Sequence, residues 1–135
     1  MDCYEEFESQ VRNAAEAFRQ IDKKEVIRVI SHLDADVISA CSIMIKLLNN
    51  ENRKYSVSIV QQLNRAVLSQ LVAEQYKCFI FTDIGSGGVA GEIMELLKGR
   101  KVFVLDHHSI EHYSASGDIV IVNPHICGID GGREI

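Results

Sequence analysis

Five short apolar segments, spaced along the chain with amphipathic stretches between them, set the strongest limit on how these residues can fold. They are EVIRVISH (25–32), YSVSIV (55–60), KCFIFTD (77–83), KVFVLD (101–106) and DIVIVN (118–123). β-branched and aromatic residues are frequent in them, and several segments are apolar at consecutive positions, so both faces of each strand need cover. Between them lie VISACSIMIKLLNN (37–50), NRAVLSQLVAE (64–74) and VAGEIMELLK (89–98), which have helical length and periodicity. Asn49-Asn50 suits the end of the first of these. Ahead of the first strand, residues 4–21 set Tyr4, Phe7, Val11, Ala14, Phe18 and Ile21 at three- and four-residue steps, one face of a helix. Alternating strands and helices predict an α/β fold: a three-layer parallel sheet with helices on both faces, preceded by an N-terminal helix. The 135 residues suffice for one domain with its own core.

Composition narrows the function classes. Apolar content of 47% and charged content of 24% are those of an ordinary globular protein. A formal charge of −5 gives no electrostatic footprint for non-specific nucleic-acid binding. The acidic, polar start MDCYEEFESQ is not a secretory signal, and no apolar run has the length of a membrane span. Cys3, Cys41, Cys78 and Cys127 are scattered without a CxxC pair, and Cys41 and Cys78 fall in apolar stretches, as buried free thiols do. These features predict a cytoplasmic protein without disulfides, zinc knuckle or membrane association.

In an open parallel sheet, sites form beyond the carboxyl ends of the strands. The first strand runs into His32, Asp34 and Asp36, the third ends at Asp83, and the fourth at Asp106, His107 and His108. Successive residues of a strand point to opposite faces, so His107 and His108 can share a site only past the strand end. Taken singly, such a stretch is an ordinary solvated turn. Three strand ends that all deliver acids or imidazoles to one edge are a different matter. Four carboxylates brought together there repel one another unless cations neutralise them. Oxygen and imidazole donors without thiolate suit manganese or magnesium, with zinc or cobalt as further options. Two divalent ions would offset the four charges, and a carboxylate between them would let the pair activate water and clamp a phosphate.

With these motifs in place, the chain resembles the DHH phosphoesterase family, named for a triplet that here is Asp106-His107-His108. SHLDADVISA, FTDIGSG and VLDHHS match the family's first three motifs in order and spacing, and NPHICGIDGGREI is similar to archaeal proteins like the single-strand exonuclease RecJ. The resemblance implies a Rossmann-like DHH domain, of which residues 1–135 would be the N-terminal portion: a leading helix in 1–24, then motifs one to three in 25–135. It implies two metal ions, Mn2+ or Mg2+, with His32 and Asp34 on one, Asp36 and His107 on the other, and Asp83 bridging. His108 would contact the scissile phosphate, and Asp106 would orient the histidines. His125, beside Pro124, is placed to line the site and bind substrate.

The chain departs from the family pattern at two points. Val37 stands where the family usually has glycine, which disfavours a positive φ and narrows the approach of a phosphate to the following helix. The family's fourth motif, with another metal-binding aspartate, and its second domain lie beyond Ile135, so the stop at GGREI reads as a cut inside a domain. Asp118 and Asp130 do not match that motif; Asp130, in GIDGG, reads as a turn residue, and His112 as a surface histidine. The implied activity is that of a metal-dependent phosphodiesterase, a RecJ-like exonuclease on single-stranded nucleic acid, weak or inactive as this stretch alone. Two alternatives stand beside it. One is a non-catalytic replication scaffold similar to Cdc45 that binds GINS-type partners. The other is a phosphodiesterase for a short oligonucleotide, a cyclic dinucleotide or pyrophosphate.

Overall fold

In a computed structural model the chain forms the expected α/β sandwich. The structure describes residues 2–33, 35–84, 90–108 and 118–128, without the side chains of 35–38. In chain order the elements are α1 (Cys3–Arg19), β1 (Ile27–His32), α2 (Ala35–Asn50), β2 (Tyr55–Val60), α3 (Arg65–Ala73), β3 (Cys78–Thr82), α4 (Ala90–Leu96), β4 (Lys101–Leu105) and β5 (Ile119–Val122). A 3-10 turn, Pro124–Cys127, follows β5. The strands form one sheet in the order β2-β1-β3-β4-β5, every pair parallel.

The two-residue period of the strands sorts the core into two halves. Ile30, Phe79, Phe81, Val102, Val104, Ile119 and Ile121 point to one face and pack under Leu68 and Leu71 of α3 and Ile93 of α4. Ile27, Val29, Cys78, Ile80 and Phe103 point to the other, under Met44 and Leu48 of α2 and Phe18 of α1. Every residue of β3 is buried, as its continuous apolar run demands. Burial also pushes the Cys78 thiol up to about 12.

Local chemistry sets the element ends. Asp2 caps α1 by accepting the Glu5 amide at 2.8 Å, and Arg53 closes its far end by donating to Ile21 O (2.9 Å) and Phe18 O (3.3 Å) while lying over the Phe18 ring. Asn64 caps α3 through the Val67 amide. α2 ends where expected, at Asn50, and the left-handed residue that turns the chain away is Asn52, at φ 56°. Val37 lies in the first turn of α2, where a helical backbone suits any residue, so glycine is not needed there for its φ.

From β1 the sheet grows one way to β2 and the other way through β3 to β5. The reversal opens a crevice at the carboxyl ends of β1 and β3. A buried hydrogen bond between the Ser31 and Thr82 hydroxyls ties these two strands at their last paired residues.

Candidate metal centre

The site begins where β3 stops. Asp83 still takes part in the sheet through its amide, which donates to Leu105 O at 2.8 Å, but its φ of 60° turns the backbone left-handed. Aspartate tolerates that conformation better than most residues. Its side chain is nearly buried, and its Oδ1 lies 2.6 Å from Nε2 of His107.

The neighbouring strand, β4, delivers the triplet. Asp106 is the last residue in register, donating its amide to Val122 O at 3.1 Å. Its side chain is only 1% exposed, and one oxygen serves three donors: the His107 amide at 2.8 Å, the His108 ring Nδ1 at 2.5 Å and the His108 amide at 3.4 Å. The backbone therefore wraps around the carboxylate instead of continuing as a strand. This removes the alternation that would throw adjacent side chains to opposite faces. The two imidazoles end side by side, ring centres 4.6 Å apart and planes inclined by 29°.

Asp83, Asp106, His107 and His108 thus bring ligand atoms within 4.8 Å of one another. Carboxylates and imidazoles, with no thiolate, are donor types that suit a divalent cation such as Mn2+. Its charge would offset the two acids, and its preference for oxygen and nitrogen matches what the strand ends offer. The donor chemistry fits a metal.

His32 is at the end of β1, outside this four-residue group, with Nε2 donating to Gln61 O at 2.8 Å. Asp34 lies outside the described residues, as does the side chain of Asp36, whose backbone belongs to the first turn of α2. His125 sits in the 3-10 turn, where Nε2 donates to His107 O at 3.0 Å. Asp118 is exposed in the turn before β5, and His112 and Asp130 lie outside the described residues.

Reasoning from sequence missed two residues. Asn123 is fully buried just after β5 and donates from Nδ2 to His108 O at 3.0 Å; Gln10 of α1 accepts the Asn123 amide at 2.8 Å. An asparagine between an apolar strand and a proline was a usable signal for the first. Gln10, one polar residue on a helix, carried none.

The family model described as the DHH family, N-terminal domain, matches residues 26–132. The chain belongs to the DHH family. An uncharacterized protein of Methanocaldococcus jannaschii is 37% identical over 115 residues, covering 81% of this DHH chain and 26% of its own length. Among solved structures, RecJ from Thermus thermophilus in complex with Mn2+ superposes with a TM-score of 0.60 at 26% identity, over 85% of this chain and 16% of that one. An exonuclease RecJ bound to manganese gives 0.68 at 22% identity, over 83% and 31%. CDC45 from Entamoeba histolytica gives 0.62 at 18% identity, over 85% and 24%. The last two show the shared fold. The chain spans about a quarter of the curated relative's length. Among the described residues, no helix is long and apolar enough to cross a membrane.

Proposed function

We propose that this chain is the N-terminal, metal-binding portion of a DHH phosphodiesterase domain that serves a RecJ-like exonuclease on single-stranded nucleic acid. The observation that carries the reading is the meeting of Asp83 from β3 with Asp106, His107 and His108 from β4. In this reading His32, Asp34, Asp36, Asp83 and His107 would hold the two divalent ions, Mn2+ or Mg2+. Such ions supply Lewis acidity toward phosphate and water, and they neutralise an edge that would otherwise repel a polyanion. The chain's own groups do the rest. Asp106 anchors the turn and orients the His108 ring through Nδ1. His108, more than half exposed, meets the scissile phosphate and stabilises charge growing on its oxygens. His125 supports the pair through the hydrogen bond from its Nε2 to the His107 carbonyl.

Calorimetric titration with Mn2+ tests the proposal, and should find one site clearly stronger than a second. Asp83→Asn is the informative variant. It keeps the left-handed backbone and the side-chain size while removing the charge, whereas alanine would add strain at φ 60°. It should abolish tight Mn2+ binding and, in the protein that contains this domain, nucleotide release from a labelled single-stranded oligonucleotide. A chain that binds no Mn2+ refutes the reading. Mn2+ binding with no nucleotide release by that protein, together with capture of a GINS-type protein, would favour the scaffold alternative.

A further inference from the structure

The carbonyls of His107 and His108 lie past the end of β4, which closes at Leu105. Backbone acceptors near a packed site need partners. Both find them in side chains of the segment after β5. His125 Nε2 donates to His107 O at 3.0 Å, and Asn123 Nδ2 donates to His108 O at 3.0 Å. The two donors are themselves coupled, because Asn123 Oδ1 accepts the His125 amide at 2.9 Å. Asn123 is in turn held from α1, its amide donating to Gln10 Oε1 at 2.8 Å, while Gln10 Nε2 faces Cys127 Sγ at 4.0 Å.

We infer that Asn123, His125 and Gln10 are positioning residues for the His107-His108 pair, so that α1, which precedes the family-matched segment, is a working part of the centre. The inference rests on the metal-centre reading above. A bond that only glued α1 to the sheet could end on any polar atom. This one passes through a fully buried asparagine and finishes on the backbone of the imidazoles that adjoin Asp83 and Asp106. A side chain that moves by a fraction of an ångström at either end changes where those rings stand. Groups that orient metal ligands from behind commonly matter about 10–100-fold in metal affinity.

The test uses the full chain carrying Gln10→Leu, Gln10→Glu or Asn123→Asp. Glutamate keeps an oxygen to accept the Asn123 amide and leucine does not. Aspartate at 123 still accepts the His125 amide but cannot donate to His108. Two readouts are taken: backbone amide resonances of His107 and His108 in the metal-free protein, and Mn2+ affinity by electron paramagnetic resonance. Gln10→Leu should move both resonances and weaken Mn2+ several-fold, Gln10→Glu should restore both, and Asn123→Asp should weaken Mn2+ about tenfold. Unmoved His107 and His108 resonances in Gln10→Leu overturn the inference. So does a loss in Gln10→Glu equal to that in Gln10→Leu, and so do shifts spread evenly over the sheet, which would mark general loosening. A wild-type chain that binds no Mn2+ would sink the functional reading instead, while the metal-free spectra would still decide the positioning.

Discussion

Removing the Asp106 carboxylate should loosen the triplet before it harms the fold, and the geometry sets the size of the effect. Three donors converge on one buried oxygen, but they are not equal. The His108 amide, at 3.4 Å, is near the limit of a hydrogen bond and adds little. The His108 ring is half exposed, so water can replace the carboxylate there. The His107 amide at 2.8 Å has the most to lose, about 1.5–3 kcal/mol for a bond to a charged acceptor. Against this, truncation relieves the desolvation of a buried carboxylate. The net cost of Asp106→Ala is therefore about 1–2 kcal/mol, and that of Asp106→Asn, whose oxygen still accepts the amides, is smaller. With a urea m-value of about 2 kcal/mol/M, the alanine variant should lower the midpoint by about 0.5–1 M at unchanged slope. Mn2+ affinity should fall more steeply, about 10–100-fold for alanine and less for asparagine. If Asp106→Ala keeps both the wild-type midpoint and the wild-type Mn2+ affinity, something other than this carboxylate holds the turn.

The remaining predictions concern stability. Arg28, buried on β1, bonds Glu74 at 2.7 Å, Ser58 Oγ at 2.6 Å and Ser56 O at 3.1 Å. Glu74→Ala should cost about 1–2 kcal/mol in urea unfolding, less than for a fully buried pair because Glu74 is partly solvated, and Arg28→Met should recover most of it. Equal stability of Glu74→Ala and wild type would mean that the serine contacts alone satisfy the guanidinium. The Cys78 thiol, held up to about 12 by burial, gives a pH signature. Below about pH 9 both states keep the proton and stability is flat from this source. Above it the unfolded chain releases the proton while the folded one keeps it, so stability should fall toward about pH 12, by at most roughly 4 kcal/mol. Cys78→Ala should remove that part of the slope, and parallel curves for the two proteins would refute it.

Strand and helix identities were legible because short apolar runs rich in β-branched and aromatic residues alternate with longer stretches of helical periodicity. β2 matches its expected limits at both ends, and β3 and β4 lose only the flanking residues whose backbones have begun to turn. What sequence periodicity could not report is sidedness in space. Arg28 interrupts an apolar strand, yet it is buried because Glu74, 46 residues away, closes over it and Tyr76 lies against it. A charge enters a core when tertiary partners meet it there, and no local pattern encodes those partners.

The same division runs through the site. That acids and imidazoles gather at Asp83 and at Asp106, His107 and His108 follows from where apolar strands stop, a boundary that periodicity marks well. The arrangement of those groups depends on features with no local signature. One is the left-handed turn at Asp83. Another is the use of a single Asp106 oxygen as the pivot of a turn. The partners of the next two carbonyls are more distant still, since Gln10 and Asn123 meet across 113 residues. A strand end can deliver ligands to an edge, but it cannot aim them, because the ladder that would fix their backbone has run out. The aiming must come from side chains recruited elsewhere, and in this chain they come from α1 and from the turn after β5. Substitutions at those supporting positions should therefore change metal affinity more than overall stability, whereas substitutions in the buried strands should do the reverse.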